Sequence, residues 1–205
     1  MDELDLLKKD WKKQDAHLPN IKAQEIYPLL LKRSSSIVKW IFFISIAELA
    51  LGIILNLLLA DNKFWKQIDH IHLTTATVII YALSYIITIF FVIQFYKRYK
   101  AINTTDSASA LMKNILKTRR TVKYYIIYIV VSSGIICFVY FIFSLMYSEE
   151  FSAIRSELDW VKVIAFGLIT TVVFSVVLWG VYTLIYGLLL RKLKRNYKEI
   201  KRLEI

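Results

Sequence analysis

One carboxylate stands in the middle of an apolar stretch. Residues 34–60 read SSSIVKWIFFISIAELALGIILNLLLA, and Glu48 is the only acidic or basic residue near the centre of any apolar block in the chain. A charge at the bilayer centre costs at least about 2.5–3.5 kcal/mol, so a residue of this kind faces protein or water, or is protonated. Ser45, Glu48, Gly52 and Asn56 step by three, four and four, which lays one small, polar stripe along a helix. Small residues let helices approach, and polar ones hydrogen-bond across the contact. Two readings follow. Glu48 is a packing residue bonded to hydroxyls on neighbouring helices, or it is a proton, ion or ligand site.

Other groups offer less chemistry. His70 and His72 flank Ile71 beside Asp69. In an extended segment the two imidazoles share a side, and on a helix they diverge, with no second ligand cluster for a metal. Cys137 lies alone within an apolar block and reads as a small apolar filler. No paired carboxylates, histidine cluster or Ser-His-Asp grouping supports catalysis, and no cofactor motif is present.

The elements that position Glu48 follow from hydropathy. The 205 residues are 57% hydrophobic, with a mean hydropathy of +0.51. Soluble domains are closer to half apolar. The excess falls into four blocks, about 37–60, 73–96, 123–147 and 160–190, each long enough for a hydrocarbon core of about 30 Å. The last would be about 46 Å long as a helix, and must tilt or project. No small-x-small cleavage site follows the first block, which is expected to remain as a span. Matching polar or small stripes lie on the other blocks: Thr77, Tyr81, Ser84 and Thr88; Ser133 and Cys137; Gly167, Thr171 and Ser175.

The flanking segments carry the charge. Residues 2–16, DELDLLKKDWKKQDA, read as an amphipathic helix with Leu4, Leu7 and Trp11 on one face. That face lies on headgroups or docks a cytosolic protein. Pro28 is expected to kink the chain or start a new helix ahead of the first span. Lys32, Arg33 and Lys39 flank the serine triplet and should meet anionic headgroups or a partner. Residues 61–72 read as a short loop with Phe64 and Trp65 at the interface. Asp106 or Ser107 can cap a helix with Leu111 and Ile115 on its apolar face, running into the third span. Residues 191–205 continue the fourth as a basic helical tail.

Of the 27 lysines and arginines, 23 lie in residues 1–39, 97–123 and 191–205. The positive-inside rule therefore places both termini in the cytoplasm. This topology accounts for the net charge of +11, and nucleic acid has no independent support as a partner.

The segments LDLLKKDWKKQ, EIYPLLLKRSSSIVKWIF, LMKNILKTRRTVKYY and NYKEIKRLE resemble a family of small, uncharacterised inner-membrane proteins of Bacteroidota, of flavobacterial type. The resemblance covers most of the chain, and SSSIVKW and KTRRTVKYY carry it best. It implies a bacterial inner membrane and transfers no activity. Pro28 departs from the helix-compatible residue usual there.

The sequence thus predicts an all-α integral membrane protein, a four-transmembrane-helix bundle with N-in/C-in topology. Its expected organisation is a cytoplasmic amphipathic segment (1–36), a membrane domain (37–190) and a basic tail (191–205). The first functional expectation is a non-enzymatic scaffold or regulator that engages a membrane or cytosolic protein through its cytoplasmic segments, without cofactor or metal. The alternative is a small transporter or channel subunit centred on Glu48, which needs a homo-oligomer because four spans are few for a pathway.

Overall fold

The computed structural model describes residues 23–105, 107–152, 156 and 158–203. Among them run five α-helices: α1 (Ala23–Leu59), α2 (Asn62–His70), α3 (Thr74–Asn103), α4 (Ala108–Tyr147) and α5 (Trp160–Leu203). A 3-10 turn occupies Glu149–Phe151, and no strand occurs among the described residues. The helices α1, α3, α4 and α5 are each long and apolar enough to cross a membrane. They form an all-α four-helix bundle of up-and-down order. Helix α4 packs most extensively on α5, and α1 on α3; α1 with α5 and α3 with α4 close the ring, while the diagonal pair α1 and α4 meets little.

The helices outrun the bilayer. At 1.5 Å per residue, the 40 residues of α4 and 44 of α5 extend about 60 and 66 Å, roughly twice a hydrocarbon core. The main buried core lies at the end that carries the lysines and arginines, here called the basic end. On α4, Leu111, Ile115, Thr118, Val122 and Tyr125 are buried at steps of four and three, the spacing of a coiled-coil seam. They meet Leu30, Ile37, Val38 and Ile41 of α1, Phe95 and Ile102 of α3, and Tyr186, Leu193 and Ile200 of α5. Polar bonds pin the register: buried Asn196 Nδ2 donates to Ser34 Oγ at 3.0 Å, and half-buried Asn114 Nδ2 to Thr105 Oγ1 at 3.0 Å.

Two local expectations change, and one holds. Helix α1 runs through Pro28 without a new start. In the second described turn proline removes one ladder bond, to Gln24, and packing of Leu30, Ser34 and Ile37 holds the rest. Residues 61–72, expected as a loop, are largely helix α2. Asp61 caps it by accepting from the Phe64 amide at 2.8 Å. Ile68 is buried with Ile71 and Leu73 against Phe64, Tyr140 and Phe143. His72 takes a left-handed φ of 58° to turn the chain into α3. Ser107 caps α4, accepting from the Ala110 amide.

Glycines set how closely α4 and α5 approach. A Cβ on Gly167 would lie 2.5 Å from the Phe141 ring, and one on Gly134 2.8 Å from Ser175 Oγ. Nothing lies within 4 Å of a Cβ on Gly52.

Candidate functional site

Helix α1 brings Glu48 against α5. Tyr186 donates its hydroxyl to Glu48 Oε2 at 3.0 Å, and Tyr182 donates to Oε1. The Tyr125 hydroxyl of α4 is buried facing the same carboxylate, without a hydrogen bond of normal geometry. The tyrosines hold one another: Tyr182 and Tyr186 stack at 6.0 Å and 7°, and Tyr125 sets its edge to Tyr186 at 5.9 Å and to Phe95 at 5.5 Å. Lys39 on α1 and Arg191 on α5 each lie nine residues from Glu48 and Tyr182 respectively. The cluster is therefore about 13 Å inside the basic rim of the spans.

Two clefts lie on the other side of the carboxylate. One of about 370 Å³ is lined by Glu48, Ser84, Tyr85, Thr88, Tyr125, Tyr128, Ser133 and Tyr182. The next, of about 420 Å³, adds Asn56, Tyr81 and Tyr140. They share Gly52, Ser84, Tyr85 and Ile136, and so form one groove between α1, α3 and α4. A third cleft of about 660 Å³ meets it at Phe64 and Tyr140, beneath α2, and carries Lys63, Lys66 and Cys137. Toward the basic end the groove stops at the packed residues Ile41, Phe95, Tyr125 and Tyr186.

The polar stripe of α1 divides. Ser45 is buried and donates to the Phe42 carbonyl at 2.7 Å. Glu48 is half-buried and bonded to α5. Asn56 is half-buried and faces Tyr81. Gly52, expected to let a helix approach, meets none: it lines the groove, because the outer part of α1 stands away from its neighbours. The other stripes point inward, with Thr77 buried beside the Tyr140 hydroxyl and Gly167 buried on α4. Tyr182 and Tyr186 were missed as partners. The signal was a continuation of the Gly167, Thr171, Ser175 row by seven and then four residues along α5.

Lys32, Arg33 and Lys39 are exposed. Lys39 Nζ lies 5.6 Å from the Phe43 ring. Lys32, Arg33, Ser36, Trp40 and Lys192 line a cleft of about 460 Å³ between α1 and α5, chemistry suited to an anionic headgroup. Leu4, Leu7 and Trp11 lie outside the described residues. His70 turns to Glu149, at 3.6 Å, and His72 to the Tyr147 ring, so the two imidazoles part. No group of three or more metal-ligating side chains occurs among the described residues.

These features define a four-span helical membrane bundle with one intramembrane carboxylate. The chain belongs to the family described as Domain of unknown function (DUF8845), whose sequence model matches residues 24–205. No curated protein and no solved structure matches the chain.

Proposed function

We propose that this protein is a non-enzymatic regulator or scaffold of a bacterial inner membrane, which engages a protein partner through the basic end of its bundle. The observation that carries this reading is the placement of the core. Most of the fully buried apolar side chains among the described residues lie toward the basic end, where α1, α4 and α5 continue past the apolar spans as one structured rod. A rod held by seam packing and by the Asn196 and Asn114 hydrogen bonds presents a fixed surface, and fixed surfaces lower the entropic cost of binding. By the distribution of lysine and arginine, that end is cytoplasmic. Its exposed side chains include Lys113, Lys117, Lys194 and Lys198, which favours a partner with an acidic surface.

A photo-crosslinking residue at Lys117 or Lys198, in native membranes, tests the reading. The expected result is a discrete protein adduct that weakens when Lys113, Lys117, Lys194 and Lys198 are reversed to Glu. Adducts with lipid alone, or a protein adduct indifferent to those reversals, would sink it.

A second reading, a transporter or channel subunit acting as an oligomer, is favoured by the groove at Glu48. Against a through-pathway in one copy stands the packed layer of Ile41, Phe95, Tyr125 and Tyr186 on its basic side.

A further inference from the structure

We infer that the groove at Glu48 is a binding site for an amphiphilic organic ammonium cation, with its charged head on the Glu48 carboxylate and the tyrosine rings, and its apolar part against the leucines of α1. This inference rests on the groove alone and is independent of the partner proposed for the basic end.

Charge comes first. Glu48 is the one ionisable side chain other than tyrosine that lines the cleft of about 370 Å³, and no lysine or arginine lines it or the adjoining 420 Å³ cleft. An anion has nothing to neutralise it there. A carboxylate offers about four lone-pair sites, and Tyr182 and Tyr186 use two as donors. Both tyrosines orient the group without supplying a counter-charge, so a cation is what the site lacks.

The remaining lining selects the kind of cation. Tyr85, Tyr125, Tyr128 and Tyr182 all line the same cleft as the carboxylate. Aromatic faces attract ammonium groups, most strongly where water is excluded. A tightly held divalent metal ion would instead call for several carboxylate, imidazole or thiolate ligands; Glu48 is the one such side chain lining this cleft, and no group of three or more occurs among the described residues. The hydroxyls of Ser84, Thr88 and Ser133 line the cleft without a hydrogen bond to other described residues, leaving oxygen lone pairs that can face the positively polarised C–H or N–H groups of an ammonium head. The two clefts fall within the size of ordinary small-molecule sites, about 300–1,000 Å³.

The route of access points to an amphiphile. The cleft beneath α2 carries Lys63 and Lys66 against one carboxylate, Glu149, a net positive lining that disfavours a cation arriving from that surface. On the α1 side the groove is bordered by Leu51, Gly52 and Leu55, all exposed. A molecule already dissolved in the bilayer reaches Glu48 laterally past these residues, and leaves its apolar part against them.

Equilibrium dialysis of radiolabelled benzyltrimethylammonium with the full chain in an uncharged maltoside detergent tests this. Saturable binding is expected. Glu48→Gln should weaken it about tenfold or more, since a hydrogen bond or ion contact to a charged group is lost. Tyr85→Leu should weaken it about 3- to 30-fold, and Tyr85→Phe little, because the ring face is kept. The neutral carbon isostere neopentylbenzene should fail to compete. Absence of saturable binding, equal binding to Glu48→Gln, or equal competition by the isostere overturns the proposal and leaves Glu48 as a structural tie between α1 and α5. Should Glu48→Gln not fold, the Tyr85 pair and the isostere decide the matter.

Discussion

The same helices build the two ends of this bundle, yet the ends pack differently. At the basic end, residues on α1, α3, α4 and α5 at seam spacing are almost wholly removed from the surface; Val38, Ile41, Phe95, Ile102, Leu111, Ile115, Val122, Tyr186 and Leu193 are all at 0% exposure. Beyond Glu48, α1 presents Leu51, Ile53, Ile54, Leu55, Leu57, Leu58 and Leu59 outward, and a groove replaces the core. Solvent explains the contrast. Where helices leave the bilayer, as at Ile102, Leu111, Ile115 and Leu193, apolar side chains must turn from water toward one another, and the helices held together there stay in contact for the next turns inside the span, at Val38, Ile41, Phe95 and Tyr186. Within the bilayer, lipid tails satisfy leucine as well as another helix does, so contact depends on small residues and polar bonds. The outer half has those between α4 and α5, at Gly134 and Gly167, and lacks them around Gly52.

The largest test of this contrast is truncation. Phe95→Ala, in the basic-end core, should destabilise the fold by about 3–5 kcal/mol. Leu55→Ala, on the outer half of α1, should stay within about 0.5 kcal/mol. Denaturant unfolding in mild detergent reads both, and equal effects would erase the distinction between the ends.

A smaller effect sharpens the role of the buried polar bonds. Asn196→Ala removes the donor to a fully buried Ser34 and should cost about 1–3 kcal/mol, because a hydroxyl is left unpaired. Pairing Asn196→Leu with Ser34→Ala should return close to the wild-type midpoint, since both partners are then apolar. A double substitution as costly as the single would show that Asn196 holds more than Ser34.

Two glycines supply a comparison of opposite signs, one of them with the smallest effect of all. Gly167→Ala drives a methyl into the Phe141 ring and should destabilise by about 1–3 kcal/mol through overpacking. Gly52→Ala meets open space and should stabilise by roughly 0.5–1 kcal/mol through helix propensity. Thermal unfolding of the two variants side by side checks the opposite signs. A destabilising Gly52→Ala would mean that a second helix seats on that surface.

Much of the fold was legible in the sequence. The apolar blocks, the Ser107 cap and the Leu111 and Ile115 face of α4 depend on neighbours within a turn or two of chain. Helix α2 was less legible, since its helical state rests on Ile68 packing beneath Tyr140 and Phe143 from α4. Of the site, Glu48 and the inward stripes could be read from spacing. Its tyrosine partners could not, because several hydroxyl-bearing stripes competed on equal terms.

Sequence alone determined which segments are long and apolar enough to span a membrane, where the charge concentrates and which mid-span acid has to be answered. Each is a sum over adjacent residues, against a bilayer of fixed thickness. Tertiary structure decided that α5, 134 and 138 residues further along, answers Glu48 with Tyr182 and Tyr186. It also decided that Gly167 is crowded while Gly52 is open, and that Pro28 sits inside a helix. Those outcomes depend on which helix lies beside which, and on how far each stands away, quantities that no run of residues encodes by itself.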